Sequence, residues 1–259
     1  DGVANDGHLT FGRASTSIEV DGVAGSQDTA TINIDGVIDL QGAGGIAGTQ
    51  IATILFDTNA SNTAINSGAI DLRDAVTDGS AIGTVLTATT SGDATGGGVG
   101  NSVNAGNIRI GDMGQSIAFE GLIFDTTGNT TNGVLVSHDS DGDGTTEIFL
   151  EDFAGVAPVF NVSKASQWVI TSNTNLDTEG ADDDIAGHID LTNTIVSSNG
   201  VFNLELDANG GTSDGNVTLG IFNNNNPAAV AEGGSYVEDL VIDGHTLTIT
   251  GDGDATNGP

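Results

Sequence analysis

Residues 200–220 read GVFNLELDANGGTSDGNVTLG, and this stretch decides how the whole chain is interpreted. Apolar and polar residues alternate in FNLEL and again in NVTLG, which is the pattern of strands with one buried face. The segment between them consists almost entirely of Gly, Asn, Asp, Ser and Thr, which favour turns. The stretch therefore predicts two short β-strands joined by a polar turn.

The same pattern recurs along the chain. Runs such as TATINIDGVIDL, GTVLTATT, SIAFEGLIF, QWVIT and LTITG alternate in the same way, with polar clusters between them. The chain has 40 Gly and only 3 Pro, so its turns are predicted to use glycine and asparagine rather than proline. The one helix-like stretch, IDLRDAV at 70–76, is short and uncapped. We predict an all-β protein.

Two all-β architectures fit so many short strands: a parallel β-helix or β-solenoid, and a β-sandwich or jelly roll. The strand centres after Trp168 fit a β-solenoid, with coils of about 20–25 residues. Residues 168–259 are therefore predicted to form solenoid coils. Residues 1–167 are predicted to be a β-rich region, either solenoid or sandwich, because their strands also fit the spacing of about 8–12 residues seen in sandwiches. The C-terminal strand centres are Val169, Ile189, Leu204, Val217, Leu240 and Leu247.

The C-terminal third resembles a known family. ITSNTNLDTEG, the stretch at 200–220 and YVEDLVIDGHTLTITGD resemble the repeats of large filamentous-haemagglutinin-like surface proteins, over Trp168 to Asp252. In that family a coil consists of an alternating strand, a Gly-rich turn and a further alternating strand. The resemblance implies a right-handed parallel β-helix in a secreted adhesin or a cell-surface filament. DDDIAGH and NNNNPAAVAEGG would then be insertions that bulge from the coils.

The charge balance excludes several classes of partner. Lys and Arg total 4 against 36 Asp and Glu, which gives a formal net charge of −32. Such a chain repels phosphate backbones and anionic membrane surfaces, so neither nucleic acid nor lipid is predicted as a partner. No apolar run reaches about 18 residues, so no membrane span is predicted. With 37% hydrophobic residues the chain is too apolar for an acidic disordered tail, and we expect it to fold.

Composition also indicates where the protein works. The chain contains no Cys and begins at Asp1, without an initiator Met or a signal-like apolar run. It is therefore expected to be a processed product or a fragment of a longer protein. An acidic, Lys-poor composition rich in Gly, Asn and Thr is typical of secreted surface proteins of bacteria and archaea. We expect an extracellular or cell-surface location.

Residues 137–150, SHDSDGDGTTEIFL, contain the clearest candidate site. Three aspartates at alternate positions precede a glycine, which is the first half of a calcium-binding loop. Ca²⁺ takes six to eight oxygen ligands, and a loop turned by glycine can point alternate side chains inward. Leu150 replaces the usual bidentate Glu and the flanking runs are strands, so we expect a loop between strands rather than an EF-hand. The predicted Ca²⁺ ligands are Asp139, Asp141, Asp143, Thr145 (through its carbonyl oxygen) and Glu147.

A solvated acidic turn is the alternative interpretation of this loop. Two carboxylates about 4 Å apart repel by roughly 1 kcal/mol in water, and by more where solvent is excluded. Four carboxylates packed together therefore favour a bound cation. The acidic stretch from Asp177 to His188 could form a second cation site, although its spacing matches no known loop. Asp252 and Asp254 alternate in what is expected to be a frayed tail.

No catalytic motif stands out. The sequence has no Gly-x-Ser-x-Gly, His-Glu-x-x-His or phosphate loop, and its four His are scattered. Lyases of acidic polysaccharides need Lys, Arg or Ca²⁺ to neutralise the substrate carboxylate, and the strongly acidic field of this chain would repel a polyanion. Trp168 is predicted to lie in the core rather than on a sugar-binding surface. We predict that the protein is not an enzyme.

The sequence therefore predicts a structural protein of the cell exterior, a subunit or segment of a filament, adhesin stalk or surface layer. Its partner would be itself, by head-to-tail stacking or strand donation, with calcium neutralising acidic turns. The strand-like runs GHLTFGRASTSIEV and LVIDGHTLTITG lack the Lys or Pro that commonly blunts an edge. Two alternatives stay open: a calcium-dependent adhesin module that binds glycans or other cell-surface proteins, and a polysaccharide-degrading β-helix.

Overall fold

The computed structural model shows an all-β chain, with twenty strands and no helix among the residues it describes. Those residues are 8–10, 15–20, 30–41, 52–58, 66–80, 83–91, 104–114, 119–128, 132–152, 155–179, 185–222 and 236–249. Since they contain no helix, they contain none long and apolar enough to cross a membrane. Every strand pairing in this part of the chain is parallel.

The strands form three sheets. Sheet 1 contains β1 (His8–Thr10), β3 (Ile32–Gln41), β5 (Ile70–Ser80), β7 (Ile108–Ile110), β9 (Leu135–Ser137), β12 (Gln167–Ile170), β15 (Ile195–Ser198) and β18 (Ile221–Phe222). Sheet 2 contains β2 (Ser15–Glu19), β4 (Ala52–Asp57), β6 (Thr84–Thr89), β8 (Gly121–Asp125), β11 (Val159–Lys164), β14 (His188–Asp190), β17 (Asn216–Leu219) and β20 (Thr246–Ile249). Sheet 3 contains β10 (Thr145–Phe149), β13 (Asn173–Asp177), β16 (Val201–Ala208) and β19 (Tyr236–Gly244).

The chain visits these sheets in a fixed order. It alternates between sheet 1 and sheet 2 as far as β8. From β9 onward it passes from sheet 1 to sheet 3 and then to sheet 2 before it returns to sheet 1. One such circuit through the sheets is called a turn of the chain. Each strand pairs with the strand of the same sheet one turn later, as β5 pairs with β7. Three parallel sheets built in this way are consistent with a β-solenoid.

Each turn of the chain is longer than the predicted 20–25 residues, so that prediction is wrong. Ile195 pairs with Ile221, 26 positions later, and Ile70 pairs with Ile108, 38 positions later. The strands themselves have only 2 to 11 residues. The rest of each turn is connecting segment, whose length the alternation of apolar residues does not encode.

Parallel pairing also decides between the two architectures considered for residues 1–167. A sandwich or jelly roll is built from antiparallel strands, and no antiparallel pair occurs among the described strands of this region, so that alternative is not observed there. The helix-like stretch 70–76 lies within β5. Sheet 1 continues past the predicted boundary at 167/168, because β9 pairs with β12. The division into two regions remains a prediction.

Stacked apolar side chains form the core. Parallel pairing places each inward-facing residue beside its counterpart in the next turn, so equivalent positions form ladders. Trp168 belongs to one of these ladders and is fully buried, which confirms its predicted place in the core. The ladder of sheet 1 is Ile32, Ile70, Ile108, Leu135, Trp168 and Val196, and that of sheet 2 is Ile54, Leu86, Leu122, Phe160, Ile189 and Val217, all buried.

Glycines permit a close backbone contact where the chain passes from sheet 2 to sheet 1. Gly68, Gly106 and Gly133 each lie two residues before a strand of sheet 1, in successive turns. A Cβ on Gly106 would lie 2.1 Å from the carbonyl oxygen of Gly68, and one on Gly133 would lie 1.9 Å from that of Gly106. The hydroxyls of Thr58, Thr90 and Thr126 donate to the carbonyl oxygens of Gly68, Gly106 and Gly133, over 2.8, 2.7 and 2.9 Å respectively. At this corner the backbones of successive turns are thus in close contact, and hydrogen bonds from buried threonine hydroxyls hold them in place.

Candidate cation sites

The predicted calcium loop connects β9 of sheet 1 to β10 of sheet 3. Asp139 organises it, because its Oδ1 accepts a hydrogen bond from the N–H of Gly142 at 2.6 Å and its Oδ2 accepts one from Gly144 at 2.8 Å. Gly142 and Gly144 have φ of 83° and 104°, a conformation that L side chains rarely adopt. The alternating Asp and Gly of the sequence therefore produce a tight loop folded around one carboxylate.

The next two aspartates of the loop make local contacts. Asp141 Oδ1 accepts from the N–H of Asp143 at 3.1 Å, and Asp143 Oδ1 accepts from the N–H of Thr145 at 2.9 Å. Both side chains are exposed. One oxygen of each carboxylate thus accepts a hydrogen bond from the backbone of the loop.

Asp112, which the sequence analysis did not single out, lies beneath this loop. It follows β7 in the preceding turn and is 8% exposed. Its Oδ2 accepts from the N–H and the hydroxyl of Ser140, at 2.9 and 2.6 Å, and from the N–H of Asp141 at 3.2 Å. Its Oδ1 accepts from the N–H of Glu147 at 3.0 Å. The Asp112 carboxylate therefore fastens the loop to the turn below it.

Three carboxylates come together at this point. Oxygens of Asp112, Asp139 and Asp141 all lie within 4.8 Å of one another, so the group could hold a metal ion. Carboxylate oxygens suit hard cations such as Ca²⁺ and Mg²⁺. Asp143 and Glu147 do not belong to this group, and Thr145 and Glu147 are half-buried residues of β10. The predicted five-residue ligand set stays a prediction.

The electrostatics of Asp139 favour its charged form. Partial burial tends to raise its pKa, but the N–H groups of Gly142 and Gly144 outweigh that effect and hold the pKa below its ordinary value. A lowered pKa in the folded state means that this carboxylate stabilises the fold above its ordinary pKa of about 4. That contribution is lost as the pH falls through the lowered value.

Asp112→Asn is expected to lower the free energy of unfolding by about 2 kcal/mol, because an amide has only one acceptor oxygen and leaves partly buried hydrogen bonds from Ser140, Asp141 or Glu147 unmade. Denaturant unfolding in EDTA measures this without any contribution from metal. Asp143→Asn is the matched control, since its amide oxygen can still accept from Thr145, and a change within about 0.5 kcal/mol is expected. Equal losses for the two variants would show that Asp112 does not hold the loop in place.

A second acidic group lies at the other end of β10. Oxygens of Glu151, Asp152 and Glu179 also lie within 4.8 Å of one another. Glu179 belongs to the acidic stretch from Asp177 to His188 that was considered as a second cation site. The aspartates at 182–184 of that stretch, and those at 252 and 254, lie outside the described residues.

Sequence reasoning missed the members of both groups that come from a neighbouring turn of the chain. Met113 forms a bridge with Ile148, and Phe149 pairs with Asp177, so residues far apart in sequence become neighbours. Only the register of the sheets brings Asp112 beside Asp139, and Glu151 beside Glu179. No local spacing in the sequence reveals either pairing.

Comparison with known proteins assigns neither group a role. No protein-family model, no curated protein and no solved structure matches this chain. The resemblance to filamentous-haemagglutinin-like repeats therefore stays a prediction.

Proposed function

We propose that the chain is a β-solenoid segment of a structural protein outside the cell, and that it assembles with copies of itself through the ends of its sheets. Calcium supports this assembly by neutralising acidic turns. The proposal is supported chiefly by one observation, the exposed apolar side chains of the last described turn.

The last turn leaves core positions uncovered. Leu247 and Ile249 of β20 pair with Val217 and Leu219 of β17, which are 1% and 3% exposed. Leu247 and Ile249 themselves are 50% and 66% exposed. The same ladder position is thus buried where another turn covers it. It is exposed in β20, which no further turn covers among the described residues.

Sheet 3 shows the same contrast. Leu240 of β19 pairs with Leu204 of β16, and their exposures are 40% and 0%. Burying apolar surface of this kind yields about 25 cal/mol per Å², which favours covering this end with a further turn. A second copy of the chain offers such a turn, because its strands carry the same alternation.

The strand edges at this end are suited to such a contact. Within the described part of the chain, β18, β19 and β20 each pair with a strand on one side only. Unpaired parallel edges accept a further strand readily unless Lys, Pro or a covering segment blocks them. β19 and β20 contain neither Lys nor Pro.

Calcium enters the proposal through charge. Copies of a chain with a net charge of −32 repel one another, and divalent cations bound to acidic turns reduce that repulsion. The group formed by Asp112, Asp139 and Asp141 offers oxygen ligands of the kind that Ca²⁺ prefers. Assembly is therefore expected to require Ca²⁺ and to reverse in a chelator.

Negative-stain electron microscopy and sedimentation of the purified chain, in CaCl₂ and after EDTA, test the proposal. We expect filaments or sheets in CaCl₂ that dissolve in EDTA. Leu247→Asp places a charge at the exposed end and is expected to leave a monomer with an unchanged melting temperature. Val156→Asp is the matched control, because Val156 is also exposed, at 47%, but lies outside the last turn, and this variant should assemble normally.

Discrete monomers of the wild-type chain in both conditions would overturn the assembly proposal. They would favour the alternative of a calcium-dependent adhesin module, which a glycan-binding screen would then address. Equal assembly of Leu247→Asp and Val156→Asp would show that the exposed end of β20 is not the contact.

A further inference from the structure

Glu179 stands out among the charged residues that the structure describes. It is 0% exposed, and both of its carboxylate oxygens are buried without a hydrogen-bond partner among the described residues. An ionised carboxylate in such a position is strongly destabilising unless a cation compensates it. A buried carboxylate of this kind therefore indicates a bound cation.

The sheet register explains why Glu179 has acidic neighbours. Glu179 lies two residues after the end of β13 and Glu151 lies two residues after the end of β10. Since Phe149 and Asp177, the last residues of these strands, pair directly, the two glutamates stack in successive turns. Asp152 follows Glu151, and both side chains are half-buried.

We propose that Glu151, Asp152 and Glu179 form a binding site for a divalent cation, Ca²⁺, between two successive turns of the chain. Their ligand oxygens all lie within 4.8 Å of one another. Oxygens bound to one Ca²⁺ lie about 2.3–2.6 Å from the ion, so they can be up to about 5 Å apart. An ion at this point compensates Glu179 and removes the repulsion between the three carboxylates.

The cationic side chains of the described residues are engaged elsewhere. Arg73 and Arg109 approach Asp71 at 2.8 and 3.5 Å, and Lys164 approaches Asp125 at 3.2 Å. Arg13, the fourth cationic side chain of the sequence, lies outside the described residues. In the described part of the chain, the charge of Glu179 is therefore expected to be compensated by a bound ion rather than by Lys or Arg.

This site differs from the loop group in two respects. It contains a fully buried carboxylate without a hydrogen-bond partner among the described residues, whereas the Asp112 carboxylate accepts four hydrogen bonds from its own chain. It also lies between turns of one molecule, so it does not depend on assembly. An ion bound here stabilises the fold whether or not copies of the chain associate.

The test uses the full chain with the loop group removed by Asp139→Asn and Asp141→Asn, so that the remaining site is observed alone. Calorimetric titration of the EDTA-treated protein with CaCl₂ is expected to show one bound ion. Saturating CaCl₂ is expected to raise the melting temperature by about 5 °C. MgCl₂ serves as the comparison, and weaker binding is expected because Mg²⁺ demands stricter octahedral geometry.

Glu179→Gln in that background is expected to weaken Ca²⁺ binding at least tenfold and to abolish the rise in melting temperature. In EDTA the same variant is expected to melt higher than its parent, because it removes an uncompensated buried charge. Glu205→Gln on the exposed face of β16 is the control for the loss of one negative charge and should bind Ca²⁺ normally. Glu151→Gln provides a second test at a half-buried position, where weaker binding is again expected.

The absence of Ca²⁺ binding in the loop-deficient background would overturn the proposal. In that case Glu179→Gln would leave the melting temperature unchanged with and without CaCl₂. Unaltered Ca²⁺ binding by Glu179→Gln would likewise overturn it. Neither result bears on assembly, which the Leu247→Asp experiment tests separately.

Discussion

Gly106→Ala is expected to be among the most destabilising single substitutions in the chain, lowering the free energy of unfolding by about 3 kcal/mol. A Cβ at Gly106 would lie 2.1 Å from the carbonyl oxygen of Gly68 and 2.5 Å from its carbonyl carbon. Backbone atoms cannot move aside as the end of a flexible side chain can. The two turns would have to separate, which weakens the pairing of β5 with β7. Denaturant unfolding followed by circular dichroism measures the loss.

Gly121→Ala in β8 is the matched control for this substitution. A Cβ at Gly121 would meet the two methyl groups of Val85 at 3.3 and 3.4 Å, and these belong to a side chain that can adjust. The change is expected to be about 1 kcal/mol or less. If the two variants lost the same stability, close backbone contact at Gly106 would not be what holds this corner together.

The glycines show where sequence reasoning reaches its limit. They were predicted to serve in turns, and Gly142 and Gly144 do so with positive φ. Gly106 is different, because its φ is not positive and its role is to let two turns approach closely. Both kinds of glycine occur in similar polar runs. Only the register between turns separates them.

The all-β fold was predictable because burial follows the alternation of the sequence. In β6 (Thr84–Thr89), buried and half-buried residues alternate strictly, as a period of two requires. The length of each turn was not predictable, because it depends on connecting segments that carry no such period. The alternation thus predicted which segments form strands, but it did not predict which strands pair with one another.

The two cation groups follow the same principle. Each combines residues from two successive turns: Asp112 with Asp139 and Asp141, and Glu179 with Glu151 and Asp152. Reading along the chain detected the local part of the first group, through its spacing of aspartates. Glu179, the most deeply buried carboxylate of the second group, lies in the acidic stretch that the sequence suggested as a second cation site, but nothing in that stretch indicated Glu151 and Asp152 as its neighbours. In a fold of stacked turns, the residues of one site are therefore separated in the sequence by about the length of one turn.

Trp168→Ala is expected to lower the free energy of unfolding by about 4 kcal/mol, because it leaves a large cavity in the core. The Trp168 ring packs against Phe160 with centroids 5.4 Å apart, and Phe160 packs against Phe124 at 5.9 Å. This row of aromatic rings runs from sheet 2 to sheet 1 across the interior. Since Trp168 is the only Trp of the chain, unfolding of the variant has to be followed by circular dichroism.

Two further variants separate packing from hydrogen bonding at this position. Trp168→Phe keeps an aromatic ring but removes the bond from Nε1 to the buried hydroxyl of Ser137, 3.1 Å away, and is expected to cost about 1–2 kcal/mol. Val169→Ala, at the neighbouring half-buried position of β12, is expected to cost less than about 1 kcal/mol. If Trp168→Ala were no more harmful than Val169→Ala, the aromatic row would not form the core of these turns. A large loss confined to Trp168→Ala would instead show that inward-facing side chains, rather than the strand pairing alone, hold successive turns together.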